Sequence, residues 1–149
     1  MRRVFKEYGK VSDLEKREVN STIYLRGLFG VFEDNNVRDN VKLINNVNNT
    51  IINDGCVLGE LEHPEDTNIH LENVSHKIIS LGINPNNEVI GTIELLKTPK
   101  GQLVNAILEA GLPLYIAPRA IGKIDEITKE LIIEKIITFD LVASSTDYI

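Results

Sequence analysis

The chain has no tryptophan, a single cysteine and a single methionine, and only 5% of its residues are aromatic. With so few rings, a stacking platform for nucleobases is not expected. One cysteine, Cys56, excludes an intramolecular disulfide and points to a reducing compartment. No apolar run approaches the roughly 20 residues that a membrane-spanning helix needs. The opening MRRVFKEYGK lacks the apolar stretch of a secretory signal. A soluble, intracellular protein with no membrane partner is the expectation. Positive charge is also short: 16 Lys and Arg stand against 22 Asp and Glu, a net charge of -6. Nonspecific nucleic-acid binding needs the opposite balance, so no nucleic-acid partner is expected.

At 149 residues, 42% apolar and 26% charged in both signs, the chain suits one folded domain with a core of its own. Residues 1–21 are charged and without a sustained period, and read as an N-terminal arm or short helix. Residues 22–149 read as a single domain. Thr22 to Phe32 is rich in β-branched and aromatic residues and predicts a strand, with Gly27 and Gly30 marking a bulge or a close approach. A loop is expected at 33–36. Val41, Ile44, Val47 and Ile51, with Leu43 and Ile52 beside them, follow helical spacing from Val37 to about Asn53. Asp54-Gly55 ends that helix, and Cys56 to Leu61 forms a short strand.

Val74 to Leu81 and Glu88 to Leu96 predict a hairpin around Asn84-Pro85-Asn86-Asn87. Thr98-Pro99 signals an N-cap with proline in the first turn, opening a helix to about Ala110 that Gly111 closes. Leu112 to Ile124 reads as a strand broken by Pro113 and Pro118. Thr128 to Val142 reads as strand, divisible in two, followed by a tail from Ser144. Five to seven strands with two helices, not in regular alternation, predict an α+β domain on an antiparallel sheet or a small closed barrel.

Chemistry-bearing residues are few. His63, His70 and His76 lie seven and six residues apart, with no paired cysteines and no His-Glu-x-x-His, so neither a metal site nor a cofactor is expected. There is no phosphate loop and no Gly-x-Ser-x-Gly elbow. Cys56 reads as the start of a buried strand rather than as a nucleophile. His70 falls in a polar loop and His76 in a strand. His63 differs: it ends a strand, precedes Pro64 and is flanked by Glu60, Glu62 and Glu65. A histidine so held is a candidate general base.

The segment Gly59-Glu60-Leu61-Glu62-His63-Pro64 resembles the Gly-Glu-Leu-x-His-Pro signature of the prohead core protein proteases of tailed bacteriophages. The likeness continues in order. Tyr24 to Phe29 resembles the family's opening strand, and Asn73-Val74-Ser75-His76 its strand after the histidine. Glu88 to Gly91, then Leu95 to Gly101, resemble its hairpin return and helix start. Leu114 to Gly122 is similar to its Gly-Val-Ser-Ser-Arg-Gly-Leu-Gly segment, and Phe139 to Val142 to a later strand with an aspartate. Roughly residues 22–144 are covered. The resemblance implies the barrel of the herpesvirus maturation proteases, the assemblins, wrapped by helices. It also implies a serine endopeptidase acting inside an assembling prohead in the host cytoplasm. Its substrates would be scaffold, core and capsid proteins, and self-association within the prohead is expected.

On that resemblance, His63 matches the general base and Ala117 takes the place of the nucleophilic serine. Asp140 is the candidate for the third member, with Glu60 or Glu62 as alternatives. Arg119 matches the segment's arginine, with an oxyanion or loop-supporting role. The chain departs from the pattern at Ala117, at Pro118, which lacks an amide to donate, and at Ala120. An alanine cannot attack a carbonyl, so the chain as it stands is expected to be inactive. Ala117 is then either an engineered exchange, favoured by the otherwise intact apparatus, or a natural loss in a relative retained for assembly. Ser75 and Ser144 lie outside the matching segment and are disfavoured as nucleophiles.

Overall fold

The structure, a computed structural model, describes residues 4–33 and 37–144. The expected loop residues 34–36 and the tail 145–149 lie outside the described residues. Among the described residues, eight strands and two α-helices follow in order. These are β1 (Phe5–Lys10), β2 (Glu15–Val19), β3 (Thr22–Phe32), α1 (Val37–Asp54), β4 (Val57–Glu60) and β5 (Val74–Ile83). They continue as β6 (Glu88–Leu95), α2 (Pro99–Glu109), β7 (Tyr115–Ile124) and β8 (Leu131–Val142). The sheet runs β4-β5-β6-β3-β1-β7-β8, with β2 attached to β3. Every strand pair on this path is antiparallel.

The two end strands, β4 and β8, meet through a parallel bridge between Leu61 and Leu141. That contact curls the open sheet into a nearly closed barrel, which agrees with the α+β barrel expected from the sequence. The seam has only this one bridge among the described residues. Side chains supply much of the rest: Thr138 Oγ1 donates to the carbonyl of Leu58 at 2.7 Å, and the Glu60 amide donates to Asp140 Oδ1 at 3.0 Å. Beside them the Glu62 amide donates to the carbonyl of Leu141 at 2.6 Å.

The N-terminal segment departs from the expected arm or short helix. Phe5–Lys10 and Glu15–Val19 are strands, which brings the total to eight. Phe5 is fully buried and its ring lies 5.1 Å from Phe32 and 6.0 Å from Phe139. Burying such a ring contributes roughly 1.5–3 kcal/mol, which offsets part of the cost of ordering a charged segment. Strand β2 is exposed along its whole length, and its alternating charges gave no buried face to read in the sequence.

Helix α1 buries Leu43, Ile44, Val47 and Ile51 as the spacing predicts, but Ile52 points to solvent at 71% exposure. Gly55, at φ +89°, turns the chain from α1 toward β4, a conformation that glycine adopts without a Cβ penalty. Helix α2 opens on Thr98, whose hydroxyl accepts from the Gly101 amide at 3.1 Å, a cap of about 1 kcal/mol. Cys56 is half-buried, outside the core it was expected to join.

Two expected strand breaks are absent. β7 runs unbroken through Pro118, because β1 pairs with it only at Tyr115 and Ile116. Past that point one edge of β7 has no strand neighbour on the path, so a missing amide on that side removes no ladder bond. β8 is one strand of 12 residues. It stays paired with β7 throughout because irregularities at Arg119/Ala120 and Ile121/Gly122 absorb the register change.

Candidate active site

Strand β4 ends at Glu60, and two residues on the backbone of Glu62 takes φ +68°. A left-handed glutamate is uncommon and persists only where its surroundings hold it. Here its amide is bound to Leu141 O and its Oε1 accepts from the Ala143 amide at 3.1 Å. The turn delivers His63 to the face of β8, where its Nδ1 lies 2.8 Å from Asp140 Oδ2. A carboxylate only accepts, so Nδ1 carries the proton and Nε2 is the nitrogen able to take one.

Asp140 is fully buried on β8. Its neighbours Phe139 and Leu141 belong to the hydrophobic core, so strand alternation turns Asp140 to the other face. Oδ2 accepts from His63 and from Arg119 Nε at 2.9 Å. Oδ1 accepts from the Glu60 amide and from Arg119 Nη2, each at 3.0 Å. Burial alone would raise the carboxyl's pKa. The hydrogen bonds from His63 and Arg119, the Arg119 charge and the Glu60 amide together outweigh burial and hold it below the ordinary carboxylate value.

Ala117 pairs with Asp140 across the β7–β8 ladder and is fully buried. Partners in such a ladder share a face, with Cβ atoms roughly 4.5–5.5 Å apart. Position 117 therefore stands beside the carboxylate that holds His63. Glu60 and Glu62, the alternatives for the third member, are engaged elsewhere: Glu60 Oε2 binds Arg119 and Glu62 Oε1 the Ala143 amide.

Arg119 is fully buried, and each of its nitrogens is occupied. Besides its two bonds to Asp140, Nη2 donates to Glu60 Oε2 and Nη1 to the carbonyl of Asn68, both at 2.8 Å. An oxyanion role finds no support in that arrangement. The guanidinium instead clamps the β8 carboxylate, the end of β4 and the loop that follows His63.

His70 is part of the same network rather than solvated alone. Its Nε2 is 3.1 Å from Asp66 Oδ2, and its Nδ1 lies 3.3 Å from Glu60 Oε1 without the alignment of a hydrogen bond. His76 is fully buried, with Nδ1 2.7 Å from Ser75 Oγ and Nε2 2.9 Å from the carbonyl of Phe139. No local sequence signal marked Asn68 as a partner of this site, and neither the Glu60 contact to Arg119 nor the His76 contact to Phe139 could be read before the barrel brought them together.

The nearly closed antiparallel barrel thus holds a buried, arginine-clamped Asp–His pair at its seam. The sequence profile of the family described as prohead core protein serine protease matches residues 8–147. The chain belongs to that family of prohead core serine proteases. Among solved structures, the capsid assembly protease of bacteriophage T4, gp21, is similar in fold, with a TM-score of 0.66 and 21% identity. The alignment covers 91% of this chain and 94% of that one. No curated protein sequence matches the chain. Among the described residues, no helix is long and apolar enough to cross a membrane.

Proposed function

We propose that this chain carries the site of a serine endopeptidase of procapsid maturation, with scaffold or core proteins and capsid proteins of the prohead as substrates. His63 is its general base, Asp140 its orienting acid and position 117 the seat of its nucleophile. The observation that carries the reading is convergence. Asp140 holds His63 Nδ1 at 2.8 Å and is at the same time the ladder partner of position 117.

With a serine at 117, its Oγ would attack the scissile carbonyl while His63 Nε2 takes the proton. Asp140 keeps the ring in the Nδ1–H tautomer and stabilises the imidazolium that forms. The imidazolium then protonates the leaving amine, and water, deprotonated by the same ring, releases the acyl group. Arg119 keeps Asp140 ionised throughout. With alanine at 117 the first bond cannot form, and the chain as it stands is inactive.

The missing hydroxyl also favours a second reading, a non-enzymatic procapsid scaffold or assembly component that keeps the protease fold and associates with its own copies inside the prohead. Ala117→Ser separates the two. Cleavage of itself or of a cognate scaffold protein, lost again on His63→Ala, supports the protease. An Ala117→Ser protein that stays intact and unreactive toward a serine-directed covalent inhibitor, as monomer and when assembled, supports the assembly role.

A further inference from the structure

His76 is a buried imidazole that the chemistry above does not use. It is the β5 partner of Gly59 on β4, yet its Nε2 bonds past that strand to the carbonyl of Phe139 on β8 at 2.9 Å. Gly59 is the opening that permits this. A Cβ built there would lie 2.1 Å from His76 Nε2 and 2.6 Å from Phe139 O. The carbonyl can only accept, so Nε2 carries the proton. In the neutral ring Nδ1 then accepts, and Ser75 Oγ donates to it at 2.7 Å. Burial, the largest influence, lowers the pKa of His76 and favours that neutral ring. The opposing influences are the Phe139 carbonyl, Asp140 on β8 and Glu60 on β4.

We infer that His76 is a positioning residue of the site: a strut from β5 across Gly59 to β8 that sets where Asp140 meets His63. The inference rests on the proposed roles of His63 and Asp140. Its physical basis is the weakness of the seam. The chain at β4 and just past it shares one backbone bridge with β8, so the height of β8 there is set by individual hydrogen bonds from Thr138, His76 and the Glu60 and Glu62 amides. The bond from His76 reaches the residue immediately before Asp140. If it is lost, the Phe139 carbonyl is left buried without that donor, and β8 has one bond fewer to fix its position along the seam. Catalytic geometry tolerates little of this, since a displacement of about 1 Å can reduce turnover about a hundredfold.

The test uses two readouts. In the chain as it stands, the His63 Nδ1–H resonance and its solvent exchange report the bond to Asp140 without any catalysis. In the Ala117→Ser background, kcat and KM report alignment. His76→Leu removes the donor, and His76→Gln restores one near the Nε2 position. The expected result for His76→Leu is a lost or fast-exchanging Nδ1–H resonance and a kcat about a hundredfold lower with KM little changed. His76→Gln should recover both in large part. Ser75→Ala, which releases the tautomer, should move both the same way by less, and decides the matter if neither His76 variant folds.

A folded His76→Leu with native resonance and kcat overturns the inference. So does a folded His76→Gln as impaired as His76→Leu, or a Ser75→Ala with no effect on either readout. If Ala117→Ser is inactive while the resonance responds as expected, the protease reading fails and the strut stands.

Discussion

Ala117 and Asp140 stand opposite one another in the β7–β8 ladder, and the same aspartate holds His63 at 2.8 Å. A methyl group thus stands beside the carboxylate that holds His63. Ala117→Ser should label with a fluorophosphonate or cleave a scaffold substrate, read by mass spectrometry. Losing the nucleophile of a serine protease costs on the order of 10⁶ in turnover, so the present chain should show only background. His63→Ala in the Ala117→Ser background should return the rate to that background.

Asp140→Asn, in the same background, keeps the shape of the side chain but loses the charge that selects the His63 tautomer. In a triad protease this exchange lowers kcat by about 10⁴. Arg119 would still have Glu60 as a carboxylate partner at 2.8 Å. The fold should therefore survive, with a stability loss of about 1–3 kcal/mol in urea melts. Undiminished turnover would transfer the orienting role to Glu60, Glu62 or solvent.

Arg119 joins two buried carboxylates, those of Asp140 and Glu60. Arg119→Leu leaves both buried without their cation. Breaking a buried pair from one side costs about 3–5 kcal/mol, and that loss should appear as a lowered denaturation midpoint. Arg119→Lys retains the charge but not the fork that binds both oxygens of Asp140, and should fall between the two. A melt unchanged in Arg119→Leu would mean that the clamp contributes nothing to the fold.

Stability should decline in two stages as pH falls. His76 has a folded pKa below its ordinary 6.5, so the unfolded chain takes up its proton first. That contribution is fully present above pH 6.5 and is lost below it, down through the folded value. Asp140 has a folded pKa below 3.8, and its contribution is lost in the more acid range, as pH falls through that folded value. Urea denaturation between pH 8 and pH 3 checks this. In a folded His76→Gln the first stage should be diminished and the acid stage retained.

Much of the fold was legible because its signals are local. Helix α1 showed in the spacing of Ile44, Val47 and Ile51, and α2 in Thr98-Pro99. The hairpin of β5 and β6 showed in alternating apolar residues around Asn84-Pro85. The N-terminal strands did not show, since β2 buries no face and β1 takes its place through only two rings, Phe5 and Tyr8. Pro118 misled for a related reason. Whether a proline breaks a strand depends on what lies along its edge, and the neighbouring strand β1 comes from the other end of the chain.

The sequence by itself determined the order of elements from β3 onward, the placing of His63 just past β4, and the likeness that singled out Ala117 and Asp140. Hydrophobic periodicity, turn chemistry and short ordered motifs are written into neighbouring residues and need no third dimension. Tertiary structure alone decided how those residues meet. The seam of β4 and β8 joins Glu60 to Asp140 over 80 positions and His63 to Asp140 over 77. It also brought Arg119, expected to serve an oxyanion or support a loop, onto Asp140, Glu60 and the Asn68 carbonyl. Hydrogen bonds are short and directional, so their partners exist only once the barrel has closed.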